Sequence, residues 1–216
     1  MLLLIIFLRG FIVKKFLIDR LLFPKSYFKK LTSKLHTLYI GLALVGLFKL
    51  GMSLIYRIPF YFFNKPPEVL VYNISLTFCI IILTGLLDTV FFAMPLFDAF
   101  KNFALRKRIT DIKGQFIKLM KVYIVSYFLI IPIYILLHIV FRENVAGLRI
   151  YSGYFLIIKI IIVLWQSAIV TRGIYVIYTF HKKLKILVFF MVSTWVMLLG
   201  YTVDYLVNAW LIKLFM

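Results

Sequence analysis

The chain has 216 residues, 64% of them hydrophobic and 19% aromatic; soluble domains are closer to half apolar, so this composition suits lipid as the solvent. Its 26 Lys and Arg stand against 7 Asp and Glu, for a formal charge of +19. The basic residues bracket apolar stretches rather than forming one patch, which points to an anionic inner leaflet and away from nucleic acid. Cys79 is the single cysteine, so an intrachain disulfide and a cysteine metal cluster are both excluded.

Residues 1–35 are apolar but repeatedly broken by charge, from Arg9 to Lys34. They read as a cytoplasmic, amphipathic interfacial region with a break at Pro24. Insertion of residues 1–23 into the bilayer is the competing arrangement. Residues 36–203 read as a transmembrane domain with five spans: His36–Tyr56, Leu70–Phe92, Val122–Phe141, Tyr154–Tyr178, and a fifth from Ile186 to Tyr201. Residues 204–216 then form an external tail. Each span is long enough for a hydrocarbon core about 30 Å thick. Alternating segments suited to a barrel are absent, so the expected fold is an all-α, polytopic helical bundle, in which every backbone polar group is paired within its own helix. Gly41 and Gly46 in the first span offer close helix approach.

Orientation follows from the basic residues. Segments 1–35, 101–121 and 179–185 hold 18 of the 26 Lys and Arg. That bias puts these segments inside, with the N-terminus cytoplasmic and the C-terminus external, as in a multi-pass protein of a cell's inner (cytoplasmic) membrane. The most basic turns are Arg106, Lys107 and Arg108, and Lys182, Lys183 and Lys185. Their expected role is to hold topology and bind anionic lipid.

Five charges fall within or beside the spans. Asp88 and Arg172 each lie 18 residues from the expected outer end of their span, about 27 Å at 1.5 Å per residue. Matched depth and opposite sign make them a candidate interhelical pair, with separate snorkelling to the headgroups as the alternative. Lys49 and Lys159 are placed on the outer side, within reach of Asp204. Pro132 interrupts the third span and predicts a kink there. The outer loop RIPFYFFNKPPEV suits an interfacial aromatic belt.

Catalytic constellations are missing from the sequence. Glu68 and Glu143 are the only glutamates, and both fall in expected outer loops. No Gly-x-Ser-x-Gly elbow occurs, and His36, His138 and His181 are dispersed over both sides. The expectation is a protein without enzymatic activity, metal or cofactor.

Three local patterns carry a family resemblance: FPKSYFKKL at Phe23–Leu31, GQFIKLMKVYIVSYFLIIP at Gly114–Pro132, and LWQSAIVTRGIYVIYTFHKKLKILVFFMV at Leu164–Val192. With five spans and a cytoplasmic N-terminus, the chain resembles the Yip1 family of membrane proteins in its prokaryotic form, from about Phe23 to Tyr201. The resemblance implies a five-helix, non-enzymatic membrane protein, and some bacterial relatives accompany ABC-type exporters. The acidic N-terminal domain and the DLYGP-type motif of the eukaryotic trafficking branch are not present, so a GTPase partner is not implied. The functional expectation is an accessory or scaffold subunit acting through membrane-protein or lipid contacts. A small oligomeric transporter or channel using the intramembrane charges is the second reading.

Overall fold

The computed structural model describes residues 25–54, 58–103, 111–142, 151–178 and 180–215, and these are helical almost throughout. The elements are a short α1 (Lys25–Lys29), α2 (Leu35–Leu54), a short α3 (Ile58–Phe62), α4 (Pro67–Phe103), α5 (Ile112–Arg142), α6 (Tyr151–Ile177) and α7 (Lys185–Leu206). A π-helical turn, Val207–Leu211, and a 3-10 turn, Ile212–Phe215, follow α7. The interfacial region expected for residues 1–23 and the basic turn Arg106–Arg108 lie outside the described residues.

Among the described residues, four helices are long and apolar enough to cross a membrane: Pro67–Lys101, Ile112–Leu137, Leu156–Ile177 and Lys185–Leu211. Between 33% and 50% of each span is buried inside the protein. The remaining surface is studded with Phe78, Ile82, Met94, Ile157, Ile161, Ile186 and Phe190, all exposed, and it needs an apolar solvent. The chain is therefore a multi-pass helical membrane protein. The apolar part of α2, Leu35–Gly51, is shorter than the other four, about 26 Å at 1.5 Å per residue.

Helix boundaries follow from local chemistry. Pro67 opens α4, where its missing N–H costs nothing, and Glu68 complements the helix dipole in the first turn. Asp111 caps α5: its Oδ1 accepts from the Gly114 N–H at 2.8 Å and its carbonyl from the Gln115 N–H at 3.1 Å. After α3 the chain turns at Asn64, with φ of 54°, a left-handed conformation that asparagine tolerates. Asn73 then donates its Nδ2–H to the Tyr61 carbonyl at 2.8 Å, fixing the loop on the start of α4.

The sequence suggests a span ending near Phe92, but α4 runs 37 residues to Phe103 with Pro95 inside it. A proline at this position cannot donate to the carbonyl four residues back, that of Phe91. The Trp195 indole N–H of α7 donates to that carbonyl instead, at 3.1 Å. Pro132 likewise sits inside a continuous α5 of 31 residues.

The long helices form an antiparallel ring. α4 packs on α5 through Phe92–Tyr123 and Phe97–Phe116, α5 on α6 where Gly173 meets Val122, and α6 on α7. α7 closes back on α4. α2 packs outside the ring against both α4 and α5. Its contact with α4 is reciprocal: a Cβ on Gly46 would meet the Ile81 carbonyl, and one on Gly85 would meet the Leu42 carbonyl. As the chain ascends from 42 to 46 its partner descends from 85 to 81, so the two helices are antiparallel. Fully buried Val45, Leu50, Phe92, Phe100, Leu119, Val122, Ile130, Ile169, Ile174 and Val188 make the core between the helices.

Candidate functional site

In the antiparallel pair α2 and α4, side chains lean toward the N-terminus of their own helix. Lys49 and Asp88 stand on opposite sides of the Gly46–Gly85 contact, so that lean brings them together. Lys49 Nζ lies 3.3 Å from Asp88 Oδ1. The other oxygen, Oδ2, accepts from the Tyr123 hydroxyl of α5 at 2.9 Å. On the far side, Lys49 Nζ is 3.8 Å from Asp204 Oδ1 of α7. The Asp88 side chain is 0% exposed, that of Lys49 8% and that of Asp204 64%. The groups thus form a line from the protein surface to the interior.

The Lys49 ammonium also stands 6.0 Å from the centroid of the Tyr127 ring, inside the range of a cation–π contact. Tyr127 is within electrostatic reach of both carboxylates, and Tyr134 of Asp204. Tyr123 is clamped by a stacked Phe92 ring, 4.0 Å between centroids. One ammonium, two carboxylates and three phenols therefore share a seam joining α2, α4, α5 and α7. Desolvating an ion is costly, so a buried carboxylate persists when both its charge and its lone pairs find partners. Asp88 has both.

Counting along the helices joined Asp88 to Arg172; the ammonium at this carboxylate in the structure is that of Lys49. Depth counting placed Lys49 on the opposite side because it ignored the lean of both side chains and the length of the lysine stem. Arg172 lies half-buried on α6, beside the Gly173 contact, and Lys159 is exposed on the same helix. Pro132 is exposed on α5. At the basic turn, Lys182–Leu184 forms one 3-10 turn, and Lys183 and Lys185 are exposed. The tyrosines were not singled out from the sequence. Their spacing, Tyr123, Tyr127 and Tyr134, puts them on one face of a helix and was the available signal.

Two further features position the seam. Lys121 of α5, 6% exposed, donates through Nζ to the carbonyls of Thr32 and Lys34, both at 2.7 Å, and so ties the segment before α2 to the ring. Between α4 and α7 runs an apolar groove of about 390 Å³. Thr84, Leu87 and Phe91 line one wall, and Trp195, Leu199 and Val203 line the other. No group of His, Cys, Asp and Glu arranged to hold a metal ion occurs among the described residues.

Comparison of the chain with protein-family models, curated proteins and solved structures gave no match.

Proposed function

We propose that this is a non-enzymatic, accessory or scaffold membrane protein that works by holding another membrane protein or lipid against its helices. It crosses the inner (cytoplasmic) membrane five times, with α2 as the first crossing, the N-terminus in the cytoplasm and the C-terminus outside. The observation that carries the reading is the fate of the buried charge. Lys49 and Tyr123 engage both oxygens of Asp88, so the charge binds helices to one another, as a rigid scaffold requires. The resemblance to the prokaryotic Yip1-type proteins supports the same reading and names an ABC-type exporter as the partner class. The positive-inside bias supports the orientation, and the basic turns supply contacts for anionic lipid.

Affinity purification of the full chain from its own membranes in mild detergent tests this proposal. Stoichiometric recovery of one ABC-type exporter or another defined membrane complex is expected. A lone monodisperse species that retains only lipid overturns the protein-partner reading. A cysteine-accessibility scan on a Cys79→Ser background tests the topology, with position 183 labelled from the cytoplasm and position 213 from outside. Labelling of both positions from one face excludes the five-span arrangement.

A further inference from the structure

The interior of the four-helix ring carries polar groups that the protein itself does not satisfy. Among the described residues, the hydroxyls of Thr89 on α4, Thr171 on α6 and Ser193 on α7 have no hydrogen-bond partner, and neither does the Gln166 amide nitrogen on α6. Their residues are 0%, 3%, 9% and 4% exposed. The α5 helix adds Ser126, fully buried and bonded to the Tyr123 carbonyl at 2.7 Å. Buried hydroxyls of this kind find their partners in ordered water when the protein offers none.

These groups share a direction. Thr89, Ala93, Leu96 and Phe100 recur at helical spacing on the α4 face that meets α6, since the Phe100 ring lies 6.0 Å from that of Tyr178 and 5.5 Å from that of Phe180. Thr171, Ile174 and Tyr178 form the answering face of α6. Thr89 and Thr171 therefore look into the same interior, and the aromatic contact closes that interior at the basic-turn end. Tyr175 completes the plug, its ring 5.4 Å from Phe180. At the other end, the line of Asp204, Lys49 and Asp88 leads from the surface to the residue beside Thr89. Facing its carboxylates are Lys49 from α2 and Tyr123 and Tyr127 from α5, with Tyr134 toward Asp204.

We propose that the ring conducts protons along a hydrated axis, with Asp204, Lys49 and Asp88 as the relay at one end and the Phe100–Tyr178–Phe180 cluster as the constriction at the other. Asp204 takes a proton from external hydronium. The Lys49 ammonium gives a proton to Asp88 and takes that of Asp204 in return, so its charge is restored. Asp88 passes its proton to water held by the Thr89 and Thr171 hydroxyls and is again a carboxylate. Only O–H and N–H bonds form and break, and one proton leaves one side and arrives at the other.

The test is passive proton flux into liposomes that hold the purified full chain and a trapped pH-sensitive dye, driven by a potassium diffusion potential with valinomycin. Acidification severalfold faster than in empty vesicles is expected, rising further in Phe100→Ala. Asp88→Asn should abolish the excess. Because that change also disturbs the ion pair, the decisive variant is Thr89→Val/Thr171→Val, which keeps side-chain shape and removes hydroxyls that have no protein partner. It should unfold at the same or higher temperature yet fall to the empty-vesicle rate. Wild-type flux equal to that of empty vesicles overturns the proposal, and so does undiminished flux in the double valine variant.

Discussion

Lys49 is held by contacts rather than by exposure: it meets a fully buried carboxylate, a second carboxylate at the surface and the face of a tyrosine ring. Removing one member of a buried pair strands the other, at about 3–5 kcal/mol, whereas removing both often costs little. Asp88→Asn should therefore lower the unfolding midpoint in detergent strongly, and Lys49→Met/Asp88→Asn should recover most of the loss. Asp204→Asn should cost no more than about 1 kcal/mol, because an exposed partner is screened by its surroundings. A double variant as unstable as Asp88→Asn alone would show that the ammonium is not what Asp88 requires. The charges themselves are evident in the sequence, but their pairing is not. Sequence order reports how far a residue lies along its helix, and says nothing of helix tilt or of the direction in which a long side chain leans.

At the scale of elements, two contacts decide how the helices sit. The backbones of α2 and α4 touch at Gly46 and Gly85, where a Cβ would collide with a carbonyl of the facing helix. Gly46→Ala and Gly85→Ala should each weaken the fold sharply in a detergent unfolding assay. Gly51→Ala meets nothing within 4 Å and should be neutral or stabilise by up to about 1 kcal/mol, the helix-propensity difference. The second contact is the repair at Pro95. Trp195→Phe leaves the Phe91 carbonyl without a donor, at about 1–3 kcal/mol. Pro95→Ala restores a backbone N–H four residues on, so Pro95→Ala/Trp195→Phe should be more stable than Trp195→Phe. A double-mutant cycle with no coupling would assign the Trp195 effect to packing alone. A proline inside a long apolar segment is visible in sequence, and that the segment continues through it is not: continuation depends on a donor more than 100 residues away in the chain.

At the scale of the molecule, four crossings rest on length and apolarity alone, while the status of α2 rests on how the bilayer meets a shorter helix carrying Lys49. The pairing of Lys49 with Asp88 reduces the cost of placing that lysine at depth. Neutralising Asp88 should therefore reduce membrane insertion of α2 as well as stability. In a glycosylation-site or cysteine mapping experiment on Asp88→Asn, the loop at 63–66 should lose its external accessibility in a fraction of molecules. Unchanged topology would show that α2 inserts independently of its partner.

The sequence by itself determined the solvent, the helical class, the polarity of the basic turns and the residues that could carry buried charge. Those properties are local: an apolar run of sufficient length demands lipid, and lipid demands helix. Only the tertiary structure decided that α4 to α7 close into a ring with α2 outside it, that Lys49 is the ammonium at Asp88, and that Trp195 supplies the hydrogen bond Pro95 cannot. Each of those facts depends on which faces meet across an antiparallel crossing. Chain order leaves that open, because lipid-facing and partner-facing apolar residues are chemically alike.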